Sequence, residues 1–135
     1  MTDTIMMDTD VCSYILKGNP PQYRKAFMAR RHSARICVSV VTYAELLTGA
    51  EYKDSKRLRE QIASFMELVE ITNWTTECAR YFSITTAALF KAGTPIGSMD
   101  IQIAASALAE GAALVTNNEK HFGRIDGLKV ENWLD

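Results

Sequence analysis

Cysteine, proline and histidine are scarce in this chain of 135 residues, which has three, three and two of them, and each shortage removes a class of protein. Cys12, Cys37 and Cys78 are odd in number, far apart and never arranged as Cys-x-x-Cys, so neither a disulfide framework nor a zinc knuckle is indicated. They read as reduced core thiols. No apolar run approaches the roughly 18 residues that a membrane span needs. The first residues carry Asp3 and no Lys or Arg before Lys17, which is the wrong pattern for a secretory signal, so a cytoplasmic, reducing location is expected. The glycines are too sparse for a dinucleotide or phosphate-loop fingerprint, and no Ser or Cys lies in a nucleophile motif.

What is present is 47% apolar residues and a near balance of 15 Lys+Arg against 16 Asp+Glu, the composition of one globular domain over 1–135. A chain of this length buries roughly two-thirds of its unfolded surface and needs no staple to fold. The balanced charge hides a sorted one. Between Val11 and Ala44 stand Lys17, Arg24, Lys25, Arg30, Arg31 and Arg35, with no Asp or Glu among them. Such a stretch is either a solvated helix face or a phosphate-attracting rim, and Arg24, Lys25, Arg30, Arg31 and Arg35 are the candidates for contact with phosphates, those of RNA if the rim serves a nucleic acid.

Apolar patterning gives a short strand over Thr4–Met7, ended by Asp8, and a helix marked by Val11, Tyr14, Ile15 and Leu16. Pro20 or Pro21 starts a second helix, since proline is tolerated in a first turn. Ile36–Val41 is β-branched and predicts strand two; Thr42-Tyr43-Ala44-Glu45 reads as a helix start. Helical spacing continues through Val69, a third strand ends at Thr72, and a longer helix stops at Gly93-Thr94-Pro95. Ser98 is positioned to cap a helix whose inward stripe holds Asp100, Ile103, Ala104 and Ala107. Strand four covers Ala113–Thr116, a helical turn follows Asn117-Asn118, and a last strand falls near Leu128–Val130. Strands alternating with helices predict an α/β fold with a central, mostly parallel sheet flanked by helices.

Ligands in such a sheet bind outside the carboxyl ends of the strands. Asp8, Glu45, Asp100 and Asn118 all belong to that edge. Each has a structural use as well: a cap for Asp8, Asp10 or Asn118, a Thr42-x-x-Glu45 capping box, a helix-dipole partner in Asp100. Carboxylates crowded at one inward edge raise one another's pKa unless a cation neutralises them. Oxygen donors alone select a hard ion, Mg²⁺ or Mn²⁺. The matching chemistry is metal-assisted hydrolysis of a phosphodiester.

The chain resembles the PIN-domain ribonucleases, specifically the VapC-type toxins of bacterial toxin–antitoxin pairs. The resemblance rests on Ile5-Met6-Met7-Asp8-Thr9-Asp10, on Ser39-Val40-Val41-Thr42-Tyr43-Ala44-Glu45-Leu46, on Ile96-Gly97-Ser98-Met99-Asp100 with Ile103-Ala104, and on Leu114-Val115-Thr116-Asn117-Asn118 with Phe122. It implies a three-layer PIN-like fold and metal ligation by Asp8, Glu45 and Asp100. Asn118 joins these as a catalytic residue, with Thr9, Asp10, Thr116 and Asn117 in support. The implied activity is an endoribonuclease acting on structured RNA such as tRNA. The implied partners are an inhibitory VapB-type antitoxin, a second copy of the chain in a homodimer, and operator DNA reached only through the antitoxin. Two positions depart from the family: Asp10, where Asn is frequent, and His121, where relatives with the Thr-Asn-Asn block often carry Glu.

Three rivals remain at this point. Asp8-x-Asp10 after an apolar strand also resembles the haloacid-dehalogenase-type phosphatases, although only Asp100 is available for their later acidic pair. A receiver domain lacks its phosphoacceptor Asp after strand three. An RNA-binding PIN module without catalysis is the non-enzymatic reading.

Overall fold

In the computed structural model, which describes residues 3–134, the first strand carries Ile5, Met6 and Met7 fully buried in a row. Burial on both faces is what a strand in the middle of a parallel sheet requires, because helices cover both sides. This strand, β1 (Asp3–Met7), pairs in parallel with β2 (Ala34–Ser39) and with β4 (Ala113–Val115). β3 (Glu70–Thr72) continues the sheet beyond β2, and β5 (Val130–Glu131) continues it beyond β4, also in parallel. The order is β3-β2-β1-β4-β5. The chain therefore steps outward from β1 on one side and then returns to build the other, which leaves a crevice at the carboxyl end of β1 where the direction reverses.

The helices between these strands are α1 (Thr9–Lys17), α2 (Pro21–Arg30), α3 (Val40–Lys53), α4 (Lys56–Met66), α5 (Thr76–Lys91), α6 (Ser98–Glu110) and α7 (Glu119–Phe122). Alternation along the strands divides the core in two. Ile5, Met7, Ile36, Val38 and Val115 face a layer built on Val11, Tyr23, Phe27 and Ile62 of α1, α2 and α4. Met6, Cys37 and Leu114 face the other layer, with Leu89 of α5, Ile103, Ala104 and Ala107 of α6, and Phe122. The α/β architecture expected from the sequence, a parallel sheet between helical layers, is the one observed.

Several boundaries move, each for a local reason. Strand two ends at Ser39 rather than Val41, because the Ser39 hydroxyl accepts the Val41 N–H at 3.0 Å and starts α3 there. Two β-branched valines thus enter a helix, their propensity overridden by the cap. Thr42 is consequently inside the helix and does not form the expected capping box. Gly97, not Ser98, is the N-cap of α6, and the Ser98 hydroxyl instead lies 3.4 Å from the Gln102 amide. α1 stops at Gly18, whose φ of 72° is left-handed. A Cβ there would stand 2.8 Å from a guanidinium nitrogen of Arg24, so glycine serves both the turn and the close approach. Cys12, Cys37 and Cys78 are buried and free. Among the described residues no helix is long and apolar enough to cross a membrane.

Candidate active site

Asp8 follows β1 directly and caps α1, its Oδ1 accepting the Val11 N–H at 2.9 Å. Its position is fixed from behind by the Asp8 N–H donating to Val115 O of β4 at 3.0 Å. The cap is therefore formed by the same carboxylate that the sequence marks as a candidate site residue. Only 5% of Asp8 is exposed. Burial pushes its carboxyl up to about 6; hydrogen bonds from the Thr116 hydroxyl and the Val11 amide hold it lower than it would otherwise be, while Asp10 and Asp100 raise it further. The Thr116 hydroxyl accepts the Asn118 N–H at 2.9 Å, so its own proton is free to go to Asp8.

Asp100 is the third residue of α6 and is half-buried rather than fully inward. Desolvation raises its pKa, His121 opposes that rise, and Asp10 adds to it. The helix is seated by small residues: Ala104, Ala105 and Ala107 are buried, which lets α6 lie close to the sheet. Ser39 at the end of β2 and Ser106 of α6 stand 3.1 Å apart, and the Ser106 hydroxyl donates to Gln102 O. Since Ser106 uses its proton on its own helix, Ser39 is the donor between the two, tying the strand edge to the helix that carries Asp100.

Glu45 is oriented differently from the expectation of direct clustering with the two aspartates. Its Oε1 accepts the Thr9 hydroxyl at 2.6 Å. Thr9 and Thr42 hydroxyls are 3.1 Å apart, and because Thr9 has a single proton and gives it to the carboxylate, Thr42 is the donor between them. Thr42 is thus a site residue that sequence reasoning assigned to a cap; its signal, a fully buried hydroxyl, is visible only in the fold. Asn118 holds no helix by its side chain either. Its amide Nδ2 lies 2.9 Å from His121 Nδ1, which requires the ring nitrogen to accept and places the ring proton on Nε2. Asn117 turns away from the acids and donates to Tyr14 OH at 3.1 Å, and Tyr14 stacks on the buried Tyr23 at 4.9 Å between centroids.

The acids at this edge offer oxygen donors, and two of them, Asp8 and Asp100, are carboxylates raised by burial and by neighbouring acids. That is the condition a hard cation relieves. Among the described residues no three His, Cys, Asp or Glu side chains come together as a ready ion cage, so the expected Asp8–Glu45–Asp100 triad is not preassembled. The arrangement still fits Mg²⁺ or Mn²⁺, since small hard ions keep several waters and take one or two carboxylates with substrate phosphate oxygens completing the shell.

Four of the five candidate arginines and lysines of the basic stretch have partners within the fold, near in sequence for Arg24 and Arg31 and distant for Arg30 and Arg35. Arg24 donates from Nε and Nη2 to Ile15 O, at 3.2 and 2.7 Å, closing the end of α1. Arg30 pairs with Glu131 at 2.9 Å. The Arg31 guanidinium lies 6.0 Å from the centre of the Phe27 ring. Arg35 bridges Glu70 and Glu110 at 2.5 and 3.0 Å, near the amino end of β2 and thus about 13 Å along the strand from Ser39. Only Lys25 of these five candidates is exposed without such a partner among the described residues.

The family model for the PIN domain matches residues 5–128. The chain is 33% identical over 129 residues to the tRNA(fMet)-specific endonuclease VapC of Salmonella typhimurium, covering 95% of this chain and 96% of the relative. It is 36% identical over 130 residues to ribonuclease VapC2 of Haemophilus influenzae, covering 96% and 97%. Among solved structures, VapBC2 of Rickettsia felis bound to a promoter DNA fragment superposes with a TM-score of 0.91 at 32% identity, over 96% of this chain and 98% of the other. A match spanning nearly the whole chain, sheet and acidic edge included, places this protein in the PIN domain family.

Proposed function

We propose that the protein is an endoribonuclease toxin of the VapC type, hydrolysing phosphodiester bonds of structured RNA such as tRNA and inhibited by a VapB-type antitoxin. The observation that carries this reading is the near full-length likeness to VapC ribonucleases together with the placement of Asp8, directly after β1, and Asp100, in the first turn of α6, within electrostatic reach of each other and of Asp10. Asp8 and Asp100 are the residues that would hold Mg²⁺ or Mn²⁺, while Glu45 is held at the same sheet edge by Thr9. The ion, when bound, activates water and neutralises charge on the leaving oxygen. The chain itself does the rest. Thr116 and the Val11 amide fix the Asp8 carboxylate, the Thr42–Thr9 relay fixes Glu45, and Asn118 stands at the rim with its carbonyl oxygen opposite the face it turns to His121.

The relatives support the substrate and the partner. One carries tRNA(fMet) in its name, and the superposed structures are complexes of the toxin with its antitoxin. A groove of about 580 Å³ between α1, α2 and α4, lined by Ile15, Leu16, Phe27, Met28 and Phe65, suits the apolar side of an antitoxin tail. A homodimer belongs to the same reading, with Ile84 and Phe90, each about two-thirds exposed on α5, as the apolar surface that a second copy would cover.

The test is to incubate antitoxin-free protein with a tRNA pool and, separately, with a generic phosphomonoester, each with Mg²⁺ and with EDTA. RNA cleavage that needs the metal and disappears in Asp100→Asn is expected. Phosphomonoester turnover without RNA cleavage would favour the phosphatase, and RNA binding without cleavage would favour an inactive module.

A further inference from the structure

Gly49 lies in the interior of α3, where glycine weakens a helix relative to alanine, and a Cβ built on it would meet nothing within 4 Å. Neither backbone conformation nor packing requires glycine there. The space it leaves is a groove of about 140 Å³ between α1 and α3, floored by apolar side chains including Leu46, Leu58 and Ile62. Two stripes border it. On α1, Thr9, Ser13 and Lys17 follow one another at four-residue intervals; on α3, Glu45, Gly49 and Lys53 do the same, so each stripe lies on one helix face. Both begin at the acidic site, where Thr9 bonds Glu45, and both end about 12 Å away at a lysine, eight residues on. Lys17 and Lys53 are exposed, and neither has a carboxylate partner among the described residues.

We propose that this groove is the path of the RNA strand leaving the acidic site. It is a binding subsite for backbone phosphates a few nucleotides from the scissile bond, and the proposal rests on the ribonuclease reading given above. Lys17 and Lys53 neutralise successive phosphates from opposite walls, the Ser13 hydroxyl donates to a phosphate oxygen or ribose, and the missing side chain at Gly49 leaves width for the sugar. Charge decides the occupant: the near end is acidic, where the ribonuclease reading puts the scissile phosphate, while the far end is cationic and holds the polyanion a few nucleotides on. Each lysine also ends its helix, where positive charge complements the dipole. That role by itself uses no ligand and leaves both ammonium groups available.

The experiment compares the parent with Lys17→Gln/Lys53→Gln and with Gly49→Leu. Three readouts are taken: affinity for a labelled single-stranded RNA across a salt titration in EDTA, steady-state cleavage with Mg²⁺, and thermal unfolding. The double lysine variant should bind roughly tenfold more weakly near 0.1 M salt, with the slope of log K against log salt smaller by about 1.4 for two lost phosphate contacts. Its KM should rise with kcat unchanged, because ground-state and transition-state binding are lost together. Gly49→Leu should bind weakly with the parental slope, since it blocks space rather than removing charge, while its Tm stays level or rises. A helix-end role alone predicts a small loss of Tm in the lysine variant and no change in RNA affinity, which would overturn the proposal. Unchanged RNA binding with weakened inhibition by an antitoxin tail peptide would overturn it too and assign the groove to the protein partner. If the parent cleaves RNA and the variants match it in KM and salt slope, the groove fails while the ribonuclease stands. If RNA binding and slope fall as expected but no preparation cleaves RNA, the groove stands and the ribonuclease fails.

Discussion

Replacing Asp8 with Asn should remove activity and make the metal-free protein more stable at neutral pH, and the second effect can be worked out from the structure. In the unfolded chain this carboxyl ionises near 3.8; in the native state burial moves it to about 6. The folded protein therefore holds the proton more tightly, and between those two values stability falls as pH rises. The loss is complete above the folded value and absent below 3.8. A shift of about two units corresponds to roughly 3 kcal/mol. Asn keeps the oxygen that accepts the Val11 N–H, so the α1 cap survives. Its amide NH₂ meets the Thr116 hydroxyl, which has to turn, and that costs up to about 1–2 kcal/mol at every pH. The offset does not depend on pH, so the diagnostic quantity is the change in the difference between variant and parent. The variant should gain about 3 kcal/mol on the parent between pH 3.5 and pH 7.5, or on the order of 10 °C in Tm for a chain of this size. Urea unfolding of both proteins in EDTA across that range measures it. Mg²⁺ should then stabilise the parent, by binding the native state only, and leave the variant unmoved. Two stability curves that run parallel from pH 3.5 to 7.5 would refute the claim that a buried, uncompensated charge sits at residue 8.

Thr42→Val removes the donor that holds the Thr9–Glu45 bond; it should lower kcat about tenfold and cost roughly 1–2 kcal/mol by leaving buried polar groups unpaired, as read by cleavage kinetics and urea unfolding. Asp10→Asn takes away a negative neighbour that raises Asp8 and Asp100, so activity should persist and its acid limb should move to lower pH in a pH–rate profile, whereas an acid/base role for Asp10 would cost about 10² to 10⁴ in rate. Arg35→Met breaks partly exposed pairs with Glu70 and Glu110 at the far edge of the sheet; it should cost at most about 1 kcal/mol and leave RNA affinity and its salt slope unchanged.

The architecture and the acidic edge were legible in the sequence because they rest on local signals. Ile5-Met6-Met7 read as a buried strand from its own composition, Gly111 ends α6 at a left-handed φ of 64°, and the residue after each strand falls at the sheet's carboxyl edge by topology. The errors share a cause, which is that the deciding partner lies far along the chain. Thr42 and Glu45, three apart, looked like a capping box; their true link is Thr9, 36 residues from Glu45. Arg30 and Arg35 looked like free surface charge until Glu131 and Glu110, 101 and 75 residues away, came into contact with them. Asn118 does stand at the N-cap of α7, as read, but its amide is held by the His121 ring rather than by the helix. Gly49 carried no sequence signal at all, since a glycine inside a helix acquires meaning only when the space around it is seen to be empty.

The central claim, that this acidic edge hydrolyses RNA with water and a divalent ion, is tested most directly by the ends of the cleaved strand. Hydrolysis by water does not use the ribose 2′-hydroxyl, so the products should carry an ordinary phosphate on one end and a hydroxyl on the other, with no 2′,3′-cyclic phosphate. Mass spectrometry of the fragments made by antitoxin-free protein in Mg²⁺, alongside an EDTA control that makes none, gives the answer. Cyclic phosphate ends, or the same fragments appearing in EDTA, would contradict it.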